Sequence, residues 1–193
     1  LRYVNFDVLY LTNSFITNIP SFISDKLISL RQLLNTIEDK YSIIVIPDFL
    51  YKKMQVEDKY YTKIEVEEEM VLDIRNNWHS FEDYISDLRK KYRNKVKKIV
   101  SLTNQLEIRV LDAKNIDDYY IEMQNLFNQV VQSSSFMGPE FNVNSFAFFV
   151  KKDLIKVNGY FLNNKLIAFS SEIIDDKILY SYYVGFDKKL NKT

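Results

Sequence analysis

The chain has 193 residues, 47% apolar and 27% charged, and its 26 lysines and arginines balance 26 aspartates and glutamates. Those proportions belong to a folded protein and exclude a disordered or collagen-like chain. With no cysteine, one histidine (His79) and three glycines (Gly138, Gly159, Gly185), several classes of chemistry are excluded as well: disulfides, thiolate nucleophiles, cysteine-type zinc and iron–sulfur centres, multi-histidine metal sites and a glycine-rich phosphate loop. No apolar stretch approaches the ~20 residues of a membrane-spanning helix, and a cysteine-free chain fits a reducing, cytoplasmic setting. The sequence opens at Leu1 and stops at Asn191-Lys192-Thr193 just after a strand-like run, so it reads as a fragment cut at both ends.

Residues 3–11 alternate apolar and polar side chains (Val4, Phe6, Val8, Tyr10), which predicts a strand ending at the turn-like Thr12-Asn13-Ser14. Ser24 is placed to cap a helix running to about Lys40, with Ile23, Leu27, Leu30, Leu34 and Ile37 as its stripe. Ser42–Ile46 is β-branched and short, a buried strand ended by Pro47. After a loose stretch through Lys59, the alternation of Ile64, Val66, Met70, Leu72 and Ile74 predicts one or two strands with an acidic bend. Trp78 to Leu102 reads as one long helix capped by Ser80, its acids early and its bases late, as the helix dipole favours. Leu106, Ile108 and Val110 predict a half-buried strand. Asn115 is placed to cap a helix with Ile116, Tyr120, Met123, Phe127 and Val130 inward. Ser133–Ser135 and Gly138-Pro139 break it. A further helix covers 144–155, with Phe146, Phe149 and Leu154 inward. The chain closes in a meander, 157–162, 165–174 and 177–186, turned at Asn163-Asn164 and Asp175-Asp176.

The neutral total hides a local asymmetry. Residues 57–73 carry seven acids against two lysines, whereas 89–98 carry seven bases and no acid. Arg89, Arg93 and Lys97 share a helix face and form a row able to meet phosphates, or else a solvated face. His79 is either a general base or an isolated surface histidine. Glu65, Glu67, Glu68 and Glu69 lack the spacing of a cation loop and read as a solvated bend, so no metal site is expected. Gly185 near a strand end marks a bulge, where a freed amide can polarise a substrate carbonyl, or ends an ordinary core strand whose one face holds Leu179, Ser181, Tyr183 and Gly185.

The string Trp78-His-Ser-Phe-Glu-Asp-Tyr84-Ile-Ser-Asp-Leu88-Arg-Lys-Lys-Tyr92-Arg93 resembles a helix of the FemAB-like acyltransferases, members of the GNAT superfamily of N-acetyltransferases. Gly159–Phe169 resembles the hairpin of the second and third strands of that fold, and Tyr183-Val-Gly-Phe-Asp187 the end of its fourth. The resemblance implies an α+β fold: a central, mostly antiparallel GNAT-like sheet flanked by helices, here truncated at both ends. It divides the chain at residue 76. Residues 1–76 are expected to be the C-terminal half of a first such domain, and 77–193 the N-terminal half of a second. It further implies N-acyl transfer from an acyl-CoA thioester or an aminoacyl-tRNA ester to an amine, such as a small molecule or a peptidoglycan precursor, with tRNA as a possible partner and no metal. Tyr183, Gly185 and Asp187 become the expected catalytic residues, with Arg89, Arg93 and Tyr182 on the substrate. In the family the carrier's pyrophosphate sits on the helix after the fourth strand, which lies beyond Thr193. The equivalent upstream turn, Thr12-Asn13-Ser14, has no glycine. The fragment alone is therefore expected to be inactive. A non-catalytic scaffold of the same fold, or a nucleic-acid-binding module built on helix 89–98, are the competing expectations.

Overall fold

The computed structural model describes residues 6–12, 19, 21–37, 39–54, 62–65, 70–132 and 142–190. The chain divides into two compact units, Leu1–Val71 and Leu72–Thr193.

In the first unit, β1 (Val8–Tyr10) pairs in parallel with β2 (Ile43–Val45). The crossover between them contains helix α1 (Leu30–Asn35), and α2 (Asp48–Tyr51) follows β2. Leu11, Leu50 and Met54 form the small core, against which Leu30, Leu33 and Ile44 pack. Helix α1 is far shorter than the predicted 24–40. Ser24 does not cap it: its hydroxyl accepts from the Lys26 amide and donates to the Lys26 carbonyl, a local loop that competes with helix. The cap is Ser29, in a reciprocal box with Gln32. Ile23 and Leu27 are consequently exposed. Strand β2 is not the buried strand expected, since only Ile44 is partly covered. Residues 62–65 and 70–77 form no strand, and Ile64, Met70, Leu72 and Ile74 are exposed. Val66 and the acids 67–69 lie outside the described residues, as do Asn13, Ser14, Ser133–Ser135 and Gly138-Pro139.

The second unit is α+β. It begins with α3 (Phe81–Asp87) and α4 (Lys90–Thr103). Strand β3 (Glu107–Val110) follows, then a 3-10 turn (Ile116–Tyr119), α5 (Tyr120–Val131) and α6 (Asn144–Lys151). Three strands close it: β4 (Lys156–Leu162), β5 (Lys165–Asp175) and β6 (Ile178–Phe186). The sheet order is β3-β4-β5-β6 with every neighbour antiparallel. Both hairpins turn through left-handed residues, Asn163 and Asn164 in one and Asp176 in the other, as two-residue loops require.

One face of this sheet carries the core. Val157 and Phe161 of β4 and Leu166 and Phe169 of β5 pack with Met123, Leu126 and Phe127 of α5 and Phe146 of α6. The expected stripe of α5 is largely there, although Tyr120 faces solvent. Asn115 does not cap α5: its Oδ1 accepts from the Asp112 amide in the preceding turn. Leu154 lies past the end of α6 and is exposed. Strand β3 also turns opposite to expectation. Ile108 and Val110 are exposed, and Arg109 lies on the core side with its guanidinium 4.3 Å from the centre of the Phe161 ring, held by Glu107 and Asn164.

The single helix predicted over 78–102 is two helices. Leu88 and Arg89 are extended (ψ 143° and 145°). The break is stabilised by Arg93, whose Nη2 donates to the Ser86 and Leu88 carbonyls that α3 leaves unpaired at its end. At the start of α3, the Asp83 carboxylate accepts from the His79 and Ser80 amides while its own amide donates to the Ser80 hydroxyl. These bonds, led by that from His79, hold the Asp83 carboxyl below the usual carboxylate range. A carboxyl depressed on folding stabilises above its unfolded pKa of about 3.9, and that contribution is lost as pH falls through the lower folded value. Ser80→Ala is expected to cost about 1 kcal/mol. Protection factors of the α3 amides, exchange rates corrected for the intrinsic rate at each pH, check this: they should fall in the variant at any pH, and in the parent only below about pH 4.

Candidate active site

The second half of β6 holds Tyr182, Tyr183 and Gly185, and Asp187 follows directly after it. The β5–β6 register shifts between Ser170 and Glu172: Ser170 faces Val184 and Glu172 faces Ser181, so Tyr182 and Tyr183 together oppose Ser171. This is a β-bulge, but it sits at Tyr182–Tyr183 and not at Gly185, where a bulge was one of the two alternatives. Ser171, fully buried, donates to the Tyr183 carbonyl at 2.7 Å and so satisfies an acceptor at the irregularity. The extra residue puts both tyrosines on the core side. Their rings lie 4.5 Å apart, each 6.2 Å from Phe146, and Tyr183 meets Phe127 edge-on at 5.3 Å. The expected face of Leu179, Ser181, Tyr183 and Gly185 is therefore corrected. Leu179 and Ser181 lie on the opposite face from Tyr183 and Gly185.

Burial pushes the Tyr182 hydroxyl up to about 12, with the neighbouring Tyr183 adding to it. A tyrosine raised on folding loses stability as pH climbs from its ordinary value of about 10 through the folded one. Ultraviolet titration of the phenols should show one group ionising near pH 12 that disappears in Tyr182→Phe. At neutral pH Tyr182 is a hydrogen-bond donor and not a base.

Gly185 is explained by approach, since a Cβ there would lie 2.4 Å from the Phe169 ring and 2.8 and 2.9 Å from backbone atoms of Phe127 and Leu126. Asp187 ends the strand: its amide donates to the Ile167 carbonyl and its Oδ1 accepts from the Lys189 amide. Because 187–167 and 185–169 are the bonded pairs of this ladder, antiparallel alternation turns the Val184 and Phe186 amides away from β5. Among the described residues no strand lies on that side.

A second group was not legible in the sequence. On the sheet face opposite the core, the Glu172 carboxylate accepts from Asn158 Nδ2 (3.0 Å to Oε2) and from the Ser170 hydroxyl (2.9 Å), and the Tyr160 hydroxyl lies 3.2 Å from Ser170 Oγ. Register brings them together: Asn158 faces Ser170 across the β4–β5 ladder, and Glu172 and Tyr160 flank them. All four are half-buried. A carboxylate and a phenol joined through a serine hydroxyl can accept one proton and donate another. The cross-strand alignment of polar residues in two predicted strands was the available signal.

The remaining candidates lie elsewhere. Arg89 and Arg93 belong to the α3–α4 junction. Arg93 is committed to two carbonyls and its Nε is buried without a hydrogen-bond partner, so the row with Lys97 does not form a free cationic face. His79 contributes its backbone amide to Asp83. Glu65 is exposed, its carboxylate near Lys63. Among the described residues no cluster of three His, Asp or Glu is placed to hold a metal ion, and no helix is long and apolar enough to cross a membrane.

No family model and no curated protein matches the chain. Among solved structures, it is similar to an aminoglycoside acetyltransferase from an uncultured soil metagenomic sample. In the complex with sisomicin the identity is 18% and the TM-score 0.36, over 46% of this chain and 60% of that one. In the complex with trehalose the TM-score is 0.35 over the same shares. The matched part thus spans about 60% of the length of those chains.

Proposed function

We propose that the chain is part of an N-acyltransferase of the GNAT type, in which the second unit presents an amine to an acyl group held along β6. The observation that carries this reading is the arrangement β3–α5–α6–β4–β5–β6, a sequential antiparallel sheet with two helices inserted after its first strand and an open edge at its last. The first unit supports it with the complementary piece, a parallel strand pair joined through a helix. We read that unit as the closing half of a preceding domain of the same kind, and the second as the opening half of another.

The chemistry follows from the two groups on the sheet. The outward Val184 and Phe186 amides at the end of β6, between Tyr183 and Asp187, can pair with an amide-bearing carrier arm as an added strand would. In that reading Tyr183 and Gly185 shape the strand and Asp187 ends it, whereas Arg89 and Arg93 do not touch substrate. The neutral amine attacks the acyl carbonyl and the new N–C bond forms; Glu172 takes the proton that the nitrogen then sheds, the carrier's C–S bond breaks, and Glu172 returns that proton to the departing sulfur, so the carrier leaves as a thiol. Tyr160 acts through Ser170 to orient that carboxylate. An acyl-CoA is the co-substrate this arrangement fits, and the acceptor is a small-molecule amine or an amine of a cell-envelope precursor.

The test is transfer of a labelled acetyl group from acetyl-CoA to a panel of amines by the whole protein. Glu172→Gln should lower the rate about 100-fold or more while leaving acetyl-CoA binding and the melting temperature unchanged. A rate equal to the parent's, or no transfer to any amine in the panel, overturns the reading.

A further inference from the structure

Helix α4 is the longest in the second unit, at 14 residues, and it buries none of them. The other two long helices there do: α5 buries Met123, Leu126 and Phe127, and α6 buries Phe146. Yet α4 is amphipathic. Tyr92, Val96, Ile99 and Val100 fall on one side at helical spacing, and Tyr92, Ile99 and Val100 remain 53%, 50% and 40% exposed. The same 14 residues hold six lysines and arginines and no acid. Arg93 is engaged by the end of α3, which leaves five lysines. Lys91, Lys95 and Lys98, at i, i+4 and i+7, form a row along one flank of the apolar side. Among the described residues none of the five makes an ion pair, and Asp87, at the end of α3, is already taken by Arg75 and Trp78.

We propose that α4 docks on the surface of an anionic lipid bilayer. Charge and apolarity together select this occupant. A protein core accepting the aliphatic side would have to desolvate lysines that have no carboxylate partner. A nucleic-acid backbone would satisfy the lysines and leave Ile99 and Val100 against phosphate. A bilayer interface takes both: the ammonium groups reach anionic headgroups on flexible stems, and the apolar stripe sinks to the acyl boundary. The helix, about 21 Å long, lies flat in that interface. Tyr92 is suited to its headgroup level.

The proposal is tested on the full chain by co-sedimentation with phosphatidylcholine vesicles, with and without a third of phosphatidylglycerol, at low and high ionic strength. Binding is expected only to the anionic vesicles and should weaken with salt. Replacing Lys91, Lys95 and Lys98 by glutamine should lower the partition coefficient about 100-fold, roughly fivefold per lysine. Tyr92→Ser with Ile99→Ser should lower it about tenfold or more at unchanged net charge. These side chains are exposed, so the melting temperature should hold in both variants. Equal binding to neutral and anionic vesicles overturns the proposal, as does no binding to either, or full binding by either variant. So does displacement of the protein from vesicles by mixed-sequence RNA. A dimer of the full chain that dissociates on Ile99→Ser also overturns it, by making a second copy the occupant.

Discussion

Gly185→Ala is expected to destabilise the second unit by about 3 kcal/mol, at the upper end for an overpacked site. Most small-to-large changes are absorbed when a neighbouring side chain changes rotamer. Here the Phe169 ring is one obstacle, at 2.4 Å from the new Cβ, but Phe127 N and Leu126 C are backbone atoms within 3 Å. They belong to the middle of α5, which cannot yield locally without moving Met123, Leu126 and Phe127 out of the core. Urea unfolding should show the midpoint falling with little change in slope, and the melting temperature should drop on the order of 10 °C. A variant as stable as the parent would mean that α5 does not rest on β6 as described.

The second large effect is at Phe146. Its side chain is completely buried and touches three aromatic rings, with Phe169 at 6.2 Å edge-on and Tyr182 and Tyr183 at 6.2 Å each. Truncation to alanine removes a contact that ties α6 to β5 and β6 and leaves a cavity between the rings that cannot collapse. The expected loss is about 4 kcal/mol, a large fraction of the ~5–15 kcal/mol that holds a domain of this kind together. Phe146→Leu should recover more than half of it. Because the tyrosine pair leans on this ring, Phe146→Ala should also let water reach Tyr182 and bring its ionisation back from about 12 toward an ordinary phenol. A phenol titration run alongside the unfolding curve reads both effects in one protein.

The sheet of the second unit was readable in sequence because its cues are local. Asn163-Asn164 sets one turn, the other falls at Asp176-Lys177, one residue past the expected Asp175-Asp176, and Val157, Phe161, Leu166 and Phe169 declare the inner face. Where reading failed, tertiary partners decided. Nothing in residues 85–92 announces a helix break, since Leu88 and Arg89 are good helix formers; the break depends on Arg93 reaching back to carbonyls five and seven residues earlier. Ile108 and Val110 alternate as a half-buried strand should, but which face is covered is settled across the sheet, where Arg109 lies over Phe161. Ile64, Met70, Leu72 and Ile74 carry the alternation of a strand, yet among the described residues none of them pairs with a strand. The Glu172 group eluded sequence for the same reason. Its members come from two strands and meet only through register.

The doubled step at Tyr182–Tyr183 makes β6 count differently on its two sides. Before it the even-numbered residues serve the core, with Tyr180 opposite Ile173; after it the odd-numbered ones do, with Gly185 opposite Phe169. Strand length is thus a parity code. Deleting either tyrosine would restore regular alternation and, with Gly185 pinned beneath α5, would rotate everything from Ser181 back to Ile178 onto the wrong face. A compensating insertion in the two-residue turn could not undo that rotation, because the turn changes reach and not phase. Residue count between Ile178 and Gly185 should therefore tolerate no single-residue insertion or deletion, whatever the identity of the residue concerned.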